Sequence, residues 1–150
     1  PDAPAVAGTE TICTETFCLA HPNDWVVEEV DDSYVVLAHP LDPDKIRATA
    51  SGVNMEGLVT ANGGSWPQNL SGVVDVFWSS LDGGIASVAE QRALEDGSIA
   101  SYGSFRDGRL WYRIISLDTT DAIGVEVRGP NMSWQTHADI MLESLDPIAP

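Results

Sequence analysis

The sequence predicts an α+β fold, an antiparallel β-sheet with helices packed on it as an α/β/α-type sandwich. Three observations carry the prediction. Short strand-like runs alternate with turn residues along most of the chain. An Asp-Gly pair joins two such runs, which demands antiparallel neighbours. Two stretches place apolar residues at the 3.6-residue helical period, and a helix with one apolar face must lie against a sheet.

Residues 1–8 carry prolines at Pro1 and Pro4 and read as a flexible linker ahead of one domain spanning 9–146, with 147–150 as a tail. Thr9–Cys13 and Phe17–His21 form a first hairpin. Pro22-Asn23-Asp24 turns the chain, and Trp25–Val30 with Ser33–His39 form a second. Pro40–Asp44 is a proline-bounded loop, Ile46–Val53 a strand, and the segment from Val53 to Gln68 a loop region. Leu70, Val73, Val74, Phe77, Trp78 and Leu81 mark one face of a helix, capped by Asn69 or Ser71 and ended by Gly83-Gly84. Strands follow at Ile85–Leu94, Ser98–Phe105, Leu110–Leu117 and Ala122–Arg128. The second and third of these are joined through a type I′ turn centred on Asp107-Gly108. Trp134, Ala138, Met141, Leu142 and Leu145 define a closing helix.

The charge is lopsided: 23 acidic residues against 7 basic ones give a net charge of −16 over 150 residues. Seven cations scattered along the chain offer no basic patch, which excludes nucleic acid as a partner. No run of ~18 apolar residues is present to span a bilayer as a helix. No basic and apolar leader precedes residue 20, so the linker reads as the start of a mature chain, with an export signal or a lipid anchor ahead of it.

Cys13 and Cys18 are the only cysteines. Flanked by strand-forming residues, they read as a disulfide across the first hairpin, which places the protein in an oxidising, extracytoplasmic compartment. Free thiols are the alternative reading. A structural zinc site needs four ligands, and a thioredoxin-like site needs C-x-x-C.

Candidate chemistry is sparse. His21 and His39 both precede prolines, and with Asp42 and Asp44 they form the one conceivable His/Asp cation site, at a spacing that matches no defined loop. No motif calls for a cofactor, and none is expected. Serines in Gly63-Gly64-Ser65 and Gly103-Ser104 do not make a nucleophile elbow, and the carboxylate pairs beside turns read as solvated. The sequons at Asn69 and Asn131 fall where helices begin, so capping accounts for them. Trp66, flanked by Asn62, the glycines and Pro67, is a loop tryptophan: a partner-binding residue if exposed, a lid on the sheet if folded under.

Phe17-Cys18-Leu19-Ala20-His21-Pro22-Asn23-Asp24-Trp25 resembles the opening of PsbP/Mog-type domains, in which a strand runs into a proline turn and a buried tryptophan. Pro130 and Trp134, leading through Ile140 to Glu143-Ser144-Leu145, resemble the closing helix of the same superfamily. The order of elements is similar over nearly the whole domain. Such domains occur in photosystem extrinsic subunits, a Ran-binding factor and bacterial surface lipoproteins. The resemblance therefore implies an accessory or binding role without catalysis. The expectation is an exported or cell-surface accessory domain that uses its sheet face or the Val53–Gln68 loop region to bind another envelope or extracellular protein, one whose own contact surface is basic or largely apolar. The alternative is a small-molecule or cation-binding extracytoplasmic protein using a pocket between sheet and helix.

Overall fold

The computed structural model describes residues 1–81 and 86–148. The strands are β1 (Thr9–Cys13), β2 (Phe17–Pro22), β3 (Val26–Asp31), β4 (Tyr34–Ala38), β5 (Arg47–Asn54), β6 (Ser87–Ala93), β7 (Ile99–Phe105), β8 (Gly108–Ser116), β9 (Asp121–Gly129) and the two-residue β10 (Asp146–Pro147). The helices are α1 (Met55–Ala61), α2 (Leu70–Ser80) and α3 (Gln135–Ser144).

A seven-stranded antiparallel sheet runs β3-β4-β5-β9-β8-β7-β6, and a smaller sheet runs β1-β2-β10. Side chains of successive strand residues point to opposite faces, and the sequence of β8 and β9 uses both. Leu110, Tyr112 and Ile114 face α1 and α2, together with Val59, Val73, Val74 and Trp78. Trp111, Ile123, Val125 and Val127 face the other way, toward α3, Phe17 and Leu19. Each side of the large sheet thus has its own core, and the expected sandwich is the observed one. Burial of a Val, Leu, Ile or Phe side chain is worth about 1.5–3 kcal/mol, so both cores contribute substantially to stability. The two terminal strands of the large sheet, β3 and β6, are exposed along their whole lengths.

The two segments with family-like sequence meet in space. Ser144 at the end of α3 accepts from the Ala20 N–H (2.8 Å), and Trp25 donates to His137 (2.9 Å). Asn69 caps α2 by accepting from Gly72 N–H (2.8 Å), and Asn131 accepts from Ser133 N–H (2.9 Å), as expected of capping residues.

Four local expectations need correction. The Val53–Gln68 region is not all loop: Asn54 accepts from Gly57 N–H and starts α1, which buries Met55 and Val59. The β7–β8 turn lies one residue earlier than the Asp-Gly pair suggests. Phe105 pairs with Gly108 across a loop of Arg106 and Asp107, and Arg106 alone there takes a positive φ, 55°. Gly108 serves a different purpose, since a Cβ on it would stand 2.6 Å from the Gly129 carbonyl oxygen. The segment before β1 lies along the start of α3, where Pro1 and Pro4 carbonyls accept from Trp134 Nε1 (2.9 Å) and His137 Nε2 (2.7 Å). Prolines withhold N–H donors but keep strong acceptors, which is why this segment docks through its carbonyls. Finally, Pro147 pairs with Phe17, and Ile148 N–H donates to Thr16, so the ordered domain runs past 146. The expected Gly83-Gly84 helix stop lies outside the described residues.

Candidate functional site

Helices α1 and α2 cover the β7–β8 half of their sheet face, and a groove opens beside them over β5 and β9. Its volume is about 340 Å³. Phe77 from α2 and Tyr112 from β8 form one wall, their rings stacked at 3.7 Å and 5°. Leu58 of α1, Leu81 and Val53 add apolar surface, and Glu126 and Arg128 of β9 supply the polar end. Tyr112 can lie flat because its diagonal neighbour on β9 is small: a Cβ on Gly124, which pairs with Ile114, would stand 2.8 Å from the Tyr112 hydroxyl.

Electrostatics distinguish the groove from ordinary surface. Burial raises Glu126 above the usual carboxylate range, opposed by Arg128, whose guanidinium lies 3.3 Å away. Burial, with the Glu126 charge second, pushes the Tyr112 hydroxyl up out of the physiological range, so it stays a neutral donor. The arrangement suits an apolar body carrying one polar group. It offers no nucleophile paired with a base.

Trp66 is half-buried and packs against the α2 core, while Asn62 and Pro67 are exposed. Asn62 spends its amide on the Leu58 carbonyl (2.8 Å), capping the end of α1. Trp66 is thus partly covered, packed against the core beneath α1 and α2.

The cation-site candidates do not assemble. His39 is buried after β4, where its Nδ1 accepts from Leu41 N–H (3.1 Å) and its Nε2–H therefore donates to Asp24 (2.7 Å). Neither nitrogen is left for a metal. His39 stands edge-on to Trp25 and Trp134 in an aromatic cluster with His137. His21 is buried on β2 and donates from Nδ1 to the Pro22 carbonyl (2.8 Å). Asp42 uses its backbone carbonyl to turn the chain toward Lys45 and Ile46, and Asp44 is exposed. Among the described residues, no three His, Cys, Asp or Glu side chains are grouped to hold a metal ion. Cys13 and Cys18 form the disulfide, directly across from each other in the β1–β2 ladder.

Two features escaped the sequence reading. Arg113 is buried in the middle of β8 and donates to the Leu142 carbonyl at the end of α3. An arginine inside an otherwise apolar run was its only signal. The other is a gathering of cations. Lys45, Arg106, Arg109 and Arg128 are far apart in sequence but line a single cleft together with Asp44 and Asp107.

No family model matches the chain, and no curated protein sequence matches it. Its fold does match solved structures. Cyanobacterial PsbP (CyanoP) from Synechocystis sp. PCC 6803 superposes with a TM-score of 0.63 at 12% identity, over 97% of this chain and 98% of that one. A crystal structure from Bacteroides thetaiotaomicron VPI-5482 aligns with a TM-score of 0.52 at 12% identity, over 95% of this chain and 49% of that one. The fold is PsbP-like over nearly the whole chain, as the opening and closing motifs imply. Among the described residues, no helix is long and apolar enough to cross a membrane.

Proposed function

We propose that this chain is an exported or cell-surface, non-catalytic accessory domain that works by binding another envelope or extracellular protein. The observation that carries the reading is the apolar groove walled by the stacked Phe77 and Tyr112, with the partly buried Trp66 packed against the same helix-covered core, on a PsbP-like fold. Aromatic residues set next to a concave apolar surface are the usual energetic centre of a protein interface. The disulfide supports an extracytoplasmic setting. With a net charge of −16, long-range encounter favours a partner whose contact surface is basic or largely apolar.

The test is to capture partners from an envelope fraction with the disulfide-bonded protein, then measure association with the recovered partner for wild type and Trp66→Ala. Loss of about tenfold or more in affinity on truncation is expected, the scale of one aromatic anchor. Unchanged binding would remove Trp66 from the interface.

A second reading is favoured by the groove alone: an extracytoplasmic small-molecule binder. A volume of about 340 Å³ is at the lower end of ligand-site sizes, which begin near ~300 Å³. Saturable quenching of tryptophan fluorescence by a small apolar ligand, lost in Phe77→Ala, would favour it over the protein-binding reading.

A further inference from the structure

The groove walled by Phe77 and Tyr112 holds a buried polar group that the fold itself does not use. Tyr112 is 3% exposed, yet its hydroxyl has no hydrogen-bond partner among the described residues. The hydroxyl lies over Gly124 of β9, where a Cβ would stand 2.8 Å from it, and Gly124 is part of the groove lining. The unused donor is thus set against the groove floor. Glu126 stands directly opposite Tyr112 in the β8–β9 ladder, so the two share a sheet face, and it lines the same groove. Its Oε1 accepts from Arg128 (3.3 Å), and its other oxygen has no partner among the described residues. Val53, Leu58, Phe77 and Leu81 supply the apolar lining.

The geometry points to a neutral alcohol as the occupant: the groove binds an uncharged apolar molecule whose hydroxyl accepts from Tyr112 and donates to Glu126. The inference rests on the small-molecule reading of the groove and names the class of ligand. A buried donor left without an acceptor costs free energy, so a ligand oxygen that takes it gains more than a contact at the open surface would. A hydroxyl is the smallest group that accepts and donates at one atom, which is what a phenol facing a carboxylate requires. Charge selects against the ionised analogues. Glu126 and Arg128 already neutralise each other, so a ligand carboxylate would be repelled by Glu126, and a ligand ammonium would have to compete with Arg128 for it. A groove of about 340 Å³ suits one chain of moderate length, at the small end of ligand sites.

The test is a titration of the ¹⁵N-labelled full chain at neutral pH with 1-octanol, octanoate and octylammonium in separate arms. Octanol should give saturable shifts at the amides of Val53, Gly124 and Glu126, and should bind about tenfold more tightly than either ion. Tyr112→Phe keeps the stack on Phe77 and deletes only the unpaired hydroxyl, so its spectrum without ligand should stay close to that of wild type. It should bind octanol about fivefold more weakly, the scale of one neutral hydrogen bond. Glu126→Gln should narrow the gap between octanol and octanoate, because the repelling charge is gone. Octanol binding that Tyr112→Phe leaves intact overturns the proposal, and so does equal affinity for all three probes. In both cases the small-molecule reading of the groove survives. No saturable shift with any probe overturns that reading and the proposal together.

Discussion

Arg113 and Asp96 meet at 2.7 Å, the guanidinium buried and the carboxylate half exposed. The contact is one arm of a larger knot. Arg113 Nε donates to the Ser98 hydroxyl (3.1 Å), and Nη1 reaches the Leu142, Glu143 and Leu145 carbonyls at the end of α3. A helix C-terminus leaves carbonyls without partners and carries partial negative charge. One β8 side chain therefore ties α3, the β6–β7 turn and the sheet together.

Arg113→Ala should destabilise the fold by about 3 kcal/mol, because it strands the α3 carbonyls and removes a paired buried cation. Urea denaturation monitored by tryptophan fluorescence measures this. A loss under ~1 kcal/mol would mean that water replaces the guanidinium without cost.

Acid sensitivity should trace in part to Asp96. The Ser98 hydroxyl and N–H, and then Arg113, hold its carboxyl below 3.8 against a desolvation penalty. A depressed carboxylate contributes stability that is complete above its unfolded value and fades as pH falls toward the folded one. Wild type should therefore lose stability below pH 3.8 faster than Asp96→Asn. Parallel midpoint-against-pH curves would refute the assignment.

Glu126 should act in the opposite sense. Its folded value lies above 4.5 because burial outweighs the Arg128 charge, so ionising it costs stability as pH rises through that interval. Glu126→Gln should be more stable than wild type at neutral pH, and the difference should close as pH falls toward 4.5. Thermal unfolding at several pH values decides it; a variant less stable at neutral pH would show that the Arg128 pairing outweighs burial.

Phe77→Ala should cost about 2 kcal/mol, less than a fully buried phenylalanine, because the ring is half-buried and shares its stack with Tyr112. A cost of ~4 kcal/mol would mean that the groove closes over Phe77 in solution.

Reducing the Cys13–Cys18 bridge should lower stability by about 2 kcal/mol, since its closed loop is short. Because β1 and β2 also pair along Thr9 to Cys13, the reduced protein should stay folded. Near-ultraviolet circular dichroism before and after reduction checks both points.

Local periodicity made most of the fold legible. The strand-like run Ala122–Arg128 located β9, and the Leu70–Leu81 stripe located α2. Helix α1 was hidden because its seven residues include Gly57 and follow directly on a strand, too short a run for the helical period to register. The β7–β8 turn slipped by one residue because Gly108 answers to Gly129 across the ladder, a contact that local turn preference does not encode. The candidate sites were less legible, and for one reason. Phe77 stacks on Tyr112, and Lys45 comes to the same cleft as Arg109, only through long-range pairing that no local pattern reveals.

The exposed terminal strands of the large sheet have a consequence for life at high concentration. β3 offers an unpaired backbone edge with Val26, Val27 and Val30 exposed on it, a template that a second copy could extend. The same strand carries Glu28, paired with Arg47 (2.8 Å), and Glu29 and Asp31, so antiparallel docking of two such edges brings carboxylates face to face. The acidity works here as a gatekeeper against polymerisation. It lets a sheet with open ends remain dispersed, and erasing the Glu29 and Asp31 charges should favour edge-to-edge association.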